Sequence, residues 1–159
     1  MKVFCHLTAT QHQRTLFREG LLINKWAQQY PQVFDEDDLR LANKQGKLGY
    51  KFYEWLSAIT IHNATGYSVL MEKYEMPKHA RKHDIFKSIV PENVFKFIMD
   101  PKEKRTQCPD LFCYNESKTD WFLCEVKGKG DRLSKDQRQY FEKIESISGK
   151  EILIIKIDK

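Results

Sequence analysis

Two short apolar segments separated by a polar loop constrain the fold of this chain more than any other feature. Residues 108–114 and 121–126 are rich in aromatic, branched and other apolar side chains, and residues 115–120 between them are polar. Apolar runs of this length around a short polar loop predict an antiparallel β-hairpin. The hairpin would bring Asp110, at the start of its first strand, close to Glu125, near the end of its second.

The residues at this junction carry the chemistry of a metal site. Side chains alternate between the two faces of a strand, so Glu125 and Lys127 share one face while Val126 takes the other. The carboxylates of Asp110 and Glu125 and the backbone carbonyl of Val126 are hard oxygen ligands suited to Mg²⁺ or Mn²⁺. Such an ion activates water against a phosphate, and Lys127 would hold that water or offset the developing charge. The spacing alone is equally compatible with an alternative without a metal, in which Asp110 is solvated and Glu125 and Lys127 form an ordinary exposed pair.

The sequence around these residues resembles a known nuclease family. CPDLF at residues 108–112 and WFLCEVKGKGDRLSKDQ at residues 121–137 resemble the PD-(D/E)XK nuclease superfamily, and more narrowly its VRR-NUC domain. The short PD and EVK motifs are weak alone, and the specific part is the continuation from Gly128 through Asp131, Arg132 and Gln137 to Tyr140. The resemblance covers about a fifth of the chain. It implies a nuclease that uses Mg²⁺ or Mn²⁺.

The resemblance also implies a role for individual residues. It makes Asp110 and Glu125 metal ligands and Lys127 the catalytic lysine. It places Gln137 beside the site, on the second helix of the nuclease core. Residues 134–137 are also an S-x-x-Q capping box, a pattern that accounts for Gln137 as a helix-start residue without catalysis.

The superfamily adds one carboxylate from its first core helix, and Glu54 is the candidate here. Glu54 shares a helical stripe with Ala58 and Ile61, where a charge without a partner would be unfavourable. Glu72 and Glu75, on the strand that follows, are the substitutes.

The order of elements predicts an α/β fold. Hydrophobic periodicity and chain breakers indicate a helix, a strand, an insertion, the hairpin, a second helix and a final strand. Their predicted ranges are 50–61, 67–76, 78–106, 108–126, 134–147 and 151–157. The order α-β-β-β-α-β is that of a restriction-endonuclease-like core, a central mixed sheet flanked by helices. We expect a helical N-terminal extension over residues 1–46 and a nuclease domain over residues 47–159, with the helical insertion at about 78–106.

Composition limits the cellular locations and the partners that we expect for the protein. The chain has 159 residues, which is enough for one compact core, and a net charge of +5 with a pI near 8.9. No apolar run reaches the ~20 residues of a membrane span, and the first residues lack the apolar core of a signal peptide. We therefore expect a cytoplasmic protein, nucleoid-associated in a prokaryote or phage, with no membrane partner. Its four cysteines would be reduced, and without a CxxC pair a zinc site is not expected.

A mild positive charge permits a polyanionic partner, and basic residues cluster in the insertion and after the EVK motif. The predicted DNA contacts are Lys78, Arg81, Lys82, Arg105, Lys129, Arg132, Lys135 and Arg138. Branched DNA, a Holliday junction or flap substrate, a repair role and a homodimer are implications of the family alone. Residues 106–108 lack the glycine that the family often has before PD, and the extension and insertion exceed a minimal stand-alone domain. A nonspecific or defence-related nuclease and a non-catalytic nucleic-acid-binding module remain as alternatives.

Overall fold

A five-stranded mixed sheet lies at the centre of the computed structural model, which describes residues 1–49, 51–103 and 107–158. The strands are β1 (Lys2–Thr8), β2 (Ser68–Met71), β3 (Leu111–Tyr114), β4 (Trp121–Lys127) and β5 (Leu153–Asp158). The α-helices are α1 (Gln11–Arg18), α2 (Leu21–Gln29), α3 (Glu36–Gln45), α4 (Phe52–Thr65), α5 (Ala80–Ile89), α6 (Glu92–Met99) and α7 (Lys135–Ser148). A short 3-10 helix, Gly46–Leu48, precedes α4.

The sheet has the order β1-β5-β4-β3-β2. β3 pairs antiparallel with both β2 and β4, and β5 pairs parallel with both β4 and β1. The predicted hairpin is confirmed, with Leu111 opposite Cys124 and Tyr114 opposite Trp121. The predicted α-β-β-β-α-β order and the mixed sheet flanked by helices are confirmed as well.

Alternation along the strands divides the core between the two faces of the sheet. On one face, Val69, Leu111 and Cys124 pack in a cluster with α4 and with residues of α1 to α3. On the other face, Leu70 and Phe112 pack in a cluster with residues of α5, α6 and α7. The N-terminal helices thus complete one helical layer, and the insertion helices complete the other beside α7.

Two predicted elements differ from the structure. Residues 1–46 are not helical throughout, because Lys2–Thr8 forms the edge strand β1, which pairs with β5 about 150 residues later. The strand predicted over 67–76 ends at Met71, because Glu72 and Lys73 adopt positive φ angles of 41° and 57° and turn the chain. The division of the chain at residue 46 stays a prediction.

The acidic run at residues 35–38 begins the helix α3. Asp35 is the N-cap of α3, and its side chain and that of Asp38 accept each other's backbone N–H groups in a capping box. Acidic residues also interact favourably with the positive end of a helix dipole. The described residues contain no helix that is both long and apolar enough to cross a membrane.

Phe34 should be important for joining the N-terminal segment to the rest of the core. Its ring stacks on that of Trp55 in α4, with the two centroids 3.7 Å apart, and both side chains are buried. We expect Phe34→Ala to lower the free energy of unfolding by about 3–5 kcal/mol, since it removes a buried aromatic ring. Urea unfolding followed by circular dichroism would measure this. A loss below about 1 kcal/mol would show that the N-terminal segment contributes little to the core.

Candidate active site

Three carboxylates converge where β2, β3 and α4 meet. Glu54 lies in the first turn of α4, Glu72 follows the last residue of β2, and Asp110 precedes the first residue of β3. One carboxylate oxygen from each of the three lies within 4.8 Å of the other two. The backbone N–H of Glu72 also donates to the carbonyl of Asp110 across 2.7 Å, which ties the two strand ends together. The structure therefore brings two of the three predicted carboxylate ligands, Glu54 and Asp110, and one of the two substitutes into one cluster.

Glu125, Lys127 and Gln137 form a second group beside the first. Glu125 and Lys127 point to the same side of β4, and the Lys127 ammonium lies 2.7 Å from Glu125 Oε1. The same ammonium donates to Gln137 Oε1 across 3.1 Å, and Gln137 Nε2 donates to Glu125 Oε1 across 3.0 Å. The three side chains close a ring of contacts that holds the lysine over the carboxylate.

A backbone contact links the two groups. The N–H of Val126 donates to Oδ2 of Asp110 across 2.9 Å, so β4 fixes the orientation of that carboxylate. The sequence predicts a role at this site for the Val126 carbonyl, and not for its N–H. Coordination of a metal by the carbonyl stays a prediction.

Two carboxylates at this site, those of Asp110 and Glu125, hold protons more tightly than carboxylates in water. Burial raises the pKa of Asp110 well above its usual range, and the negative charges of Glu125 and Glu54 raise it further. Burial also raises the pKa of Glu125, against the lowering effect of the Lys127 ammonium. Crowded, desolvated acids of this kind are typical of a site that binds a cation.

The residues present fit a divalent metal ion. Glu125 Oε2 is buried, and it finds no hydrogen-bond partner among the described residues. The ammonium of Lys51 contacts the carboxylate of Glu72 and lies 3.3 Å from Glu54 Oε1, so a positive charge already lies among these acids. Several carboxylate oxygens and no sulfur or imidazole donor in this cluster make a ligand set suited to Mg²⁺ or Mn²⁺.

A cavity of about 390 Å³ adjoins the acidic cluster. Its walls include Glu54 and Glu72 on one side and α3 on the other, so the N-terminal helices contribute to the surroundings of the site. Lys44 and Lys73 also line it, and neither is among the predicted site residues. The folded structure is needed to identify these two lysines, since α3 and the end of β2 are far apart in the chain.

Lys82 does not lie on a DNA-binding surface. Its side chain is 3% exposed, and its ammonium lies 2.5 Å from Asp38 Oδ1 and 2.7 Å from the carbonyl of Met71. A buried ammonium with these partners cannot reach a phosphate, so its assignment as a DNA contact was wrong. Arg81 is half-exposed but pairs with Asp35 at 3.0 Å.

The other predicted DNA contacts fall into two groups. Lys78 is exposed near the start of the insertion, and Arg105 lies outside the described residues. The remaining four are exposed on the loop after β4 and the first turn of α7: Lys129, Arg132, Lys135 and Arg138. This loop starts directly after Lys127, so these four cations lie next to the acidic site. Contact with DNA stays a prediction for all of them.

Comparison with known protein families agrees with this geometry. A family model described as VRR-NUC domain matches residues 54–153, well over half of the chain. The chain belongs to the VRR-NUC domain family. A comparison with curated proteins gave no match. The matched range begins at Glu54 and includes every carboxylate of the acidic cluster, together with Lys127 and Gln137. The VRR-NUC family is a nuclease family, so the chain is a nuclease domain with a restriction-endonuclease-like fold.

Gln137 makes two sets of contacts whose contributions can be separated by mutation. It completes the capping box with Ser134 at the start of α7, and it contacts Glu125 and Lys127. We expect Gln137→Ala to slow cleavage about 10- to 100-fold, since groups that orient ligands contribute this much. Ser134→Ala should remove only the cap, with a loss of about 1 kcal/mol in stability and nearly unchanged cleavage.

Single-turnover cleavage rates and urea unfolding of the two variants would test this separation. Equal loss of cleavage in both variants would show that Gln137 acts only by starting α7.

Proposed function

We propose that the protein is a metal-dependent DNA endonuclease that hydrolyses phosphodiester bonds. One observation carries the proposal. The acidic cluster of Glu54, Glu72 and Asp110 lies beside Glu125 and Lys127, and a hydrogen bond from the backbone of β4 to Asp110 links the two groups. Membership in a nuclease family agrees with this arrangement. A non-catalytic module would need neither the crowded acids nor a lysine held over one of them.

The chain's own residues account for binding, orientation and proton handling. Asp110, Glu125, Glu54 and Glu72 would hold one or two Mg²⁺ or Mn²⁺ ions, which supply a Lewis acid and a bound water of lowered pKa. The Lys127 ammonium would donate hydrogen bonds to the attacking water or to a nonbridging phosphate oxygen, where negative charge develops. Gln137 keeps that ammonium in place through its side-chain oxygen.

Cations around the site suit a DNA backbone. The exposed Lys129, Arg132, Lys135 and Arg138 extend from the end of β4 onto α7, and the exposed Lys44 and the half-buried Lys73 line the cavity beside the acidic cluster. Phosphate contacts of this kind hold and orient DNA without reading its sequence. We propose that the substrate is a branched DNA, a junction or a flap, and that the context is repair or recombination. The support for branched substrates is the family resemblance.

Cleavage of end-labelled substrates would test the proposal. Four-way junctions, 5′ flaps, 3′ flaps and plain duplex would each be incubated with Mg²⁺, Mn²⁺ or EDTA, using wild type and Asp110→Asn in parallel. We expect cleavage of at least one branched substrate with either metal, and none in EDTA or with the variant. Cleavage that persists in excess EDTA would contradict the metal mechanism, and equal cutting of all substrates would contradict branch selectivity.

The pattern of cuts in the junction would report the assembly. Paired symmetric cuts would indicate a homodimer acting on both strands, and single cuts near a flap would indicate a monomer. Binding without cleavage under every condition would favour a nucleic-acid-binding module instead.

A further inference from the structure

A buried ion pair connects the N-terminal helices to the insertion. Lys82 of α5 and Asp38 of α3 pair at 2.5 Å, and each side chain is less than a tenth exposed. Burial raises the pKa of Asp38 to about 6, although the ammonium beside it acts in the opposite direction. Burying two charges in this way adds little to stability, because the loss of hydration offsets most of the attraction.

The Lys82 ammonium also reaches the backbone next to the acidic cluster. It donates to the carbonyl of Met71 across 2.7 Å, and Met71 is the last residue of β2. The chain turns sharply after this residue, since Glu72 and Lys73 both have positive φ angles. Non-glycine residues rarely adopt this region, so the surrounding structure must hold the turn in place.

This turn fixes two of the three clustered carboxylates. Glu72 carries one of them, and its N–H donates to the carbonyl of Asp110, which carries another. A shift of the β2 end would therefore move Glu72 and loosen its contact with Asp110.

Two further contacts join the same helices. Arg81 pairs with Asp35 at 3.0 Å, and a ring nitrogen of His79 lies 3.3 Å from Asp37 Oδ2. Arg81 and Asp37 are each about half-exposed, and the contacts described for these two pairs do not include β2. Among the residues of these three pairs, Lys82 is thus the one described as contacting the backbone at the end of β2.

We propose that Lys82, held by Asp38, is a positioning residue that fixes the β2 end so that Glu72 and Asp110 can bind a divalent metal ion together. The inference rests on the proposed function, because it assumes that these carboxylates hold a metal. In this proposal the N-terminal helix α3 and the insertion helix α5 both support the site, although neither helix supplies a metal ligand.

Metal affinity of a charge-neutral double variant tests this inference. Asp38→Asn/Lys82→Met removes both charges and the contact with Met71 while keeping similar side-chain volumes. We expect its Kd for Mn²⁺, from calorimetric titration, to rise at least about tenfold, the usual effect of losing a group that orients ligands. Its urea midpoint in EDTA should equal that of the wild type or exceed it, since neutral replacement of a buried pair is often stabilising.

Asp35→Asn/Arg81→Met is the matched control. It removes a pair between the same helices without touching β2, and asparagine can still cap α3. Its Kd for Mn²⁺ should equal that of the wild type. If the first double variant does not fold, Lys82→Arg keeps the charge but changes the group that contacts Met71. It should then raise the Kd about threefold, while an unchanged Kd would overturn the inference.

Three outcomes would overturn the positioning role. The double variant could bind Mn²⁺ as tightly as the wild type. Its affinity for Mn²⁺ could fall no more than its loss of stability explains. The control variant could lose as much affinity for Mn²⁺ as the double variant does. Wild-type protein that binds no Mn²⁺ would overturn the proposed function as well, so the two failures can be distinguished.

Discussion

Replacing Asp110 with asparagine is expected to slow cleavage by more than about a thousandfold, since the variant loses the charge of a proposed metal ligand. The same change should raise the stability of the metal-free protein. An asparagine oxygen can still accept the N–H of Val126, which lies 2.9 Å from Asp110 Oδ2, so the local backbone is retained. What disappears is a buried carboxyl whose ionisation is unfavourable beside Glu125 and Glu54, the charges that raise the pKa of Asp110.

Opposite effects on activity and stability distinguish a ligand from a structural residue. Cleavage rates, Mn²⁺ titration and urea unfolding in EDTA would be measured for Asp110→Asn and for Asp158→Asn. Asp158 is exposed at the end of β5, 3.1 Å from His6, and its replacement should change none of these quantities. An Asp110→Asn protein that is less stable in EDTA than the wild type would assign Asp110 a role in holding the fold.

The parts of the site that follow from local sequence are those within one hairpin and one helix start. Strand alternation places Glu125 and Lys127 on one face, and the short loop between β3 and β4 brings Asp110 to β4. The capping box at Ser134 gives the start of α7, and with it the position of Gln137. Each of these signals spans fewer than about 20 residues and depends little on the rest of the chain.

Other parts depend on long-range packing that local patterns do not record. β1 is mostly exposed and becomes a strand because β5 offers a parallel edge, about 150 residues away in sequence. Glu72 reads as a residue inside a strand, yet it lies in a turn with positive φ and faces Asp110 and Glu54. Glu72 faces the site because β2 ends just before it, and the composition of residues 67–76 does not indicate that the strand ends there.

Lys82 illustrates why charge alone is a poor guide to function. In sequence it belongs to a basic stretch that includes Lys78 and Arg81, and such stretches are usually exposed. The helix α5 turns Lys82 inwards, where Asp38 of α3 supplies the opposite charge that makes burial tolerable. Because that partner comes from a helix 44 residues earlier, no local pattern distinguishes Lys82 from its exposed neighbours.

The metal-free protein is expected to become less stable as the pH rises from 5 to 7.5. The pKa values of Asp110, Glu125 and Asp38 are raised in the folded protein, that of Asp38 to about 6. The folded protein therefore binds more protons than the unfolded chain in this range. The stabilisation is complete below the unfolded values of about 4 and is lost as the pH passes the raised values. Urea midpoints in EDTA at both pH values would measure the change, and a midpoint that rises with pH would contradict it.

Metal affinity should change with pH in the opposite direction, because metal binding requires the ionised carboxylates. We expect the Kd for Mn²⁺ to fall by up to about tenfold per pH unit while Asp110 remains protonated in the metal-free protein. Asp110→Asn should weaken this dependence, and titrations in buffers of different ionisation enthalpy should detect more proton release in the wild type than in the variant. Cleavage lost at pH 6 should then return at higher metal concentration, since low occupancy of the site limits it. A Kd that does not vary with pH would contradict the raised pKa values.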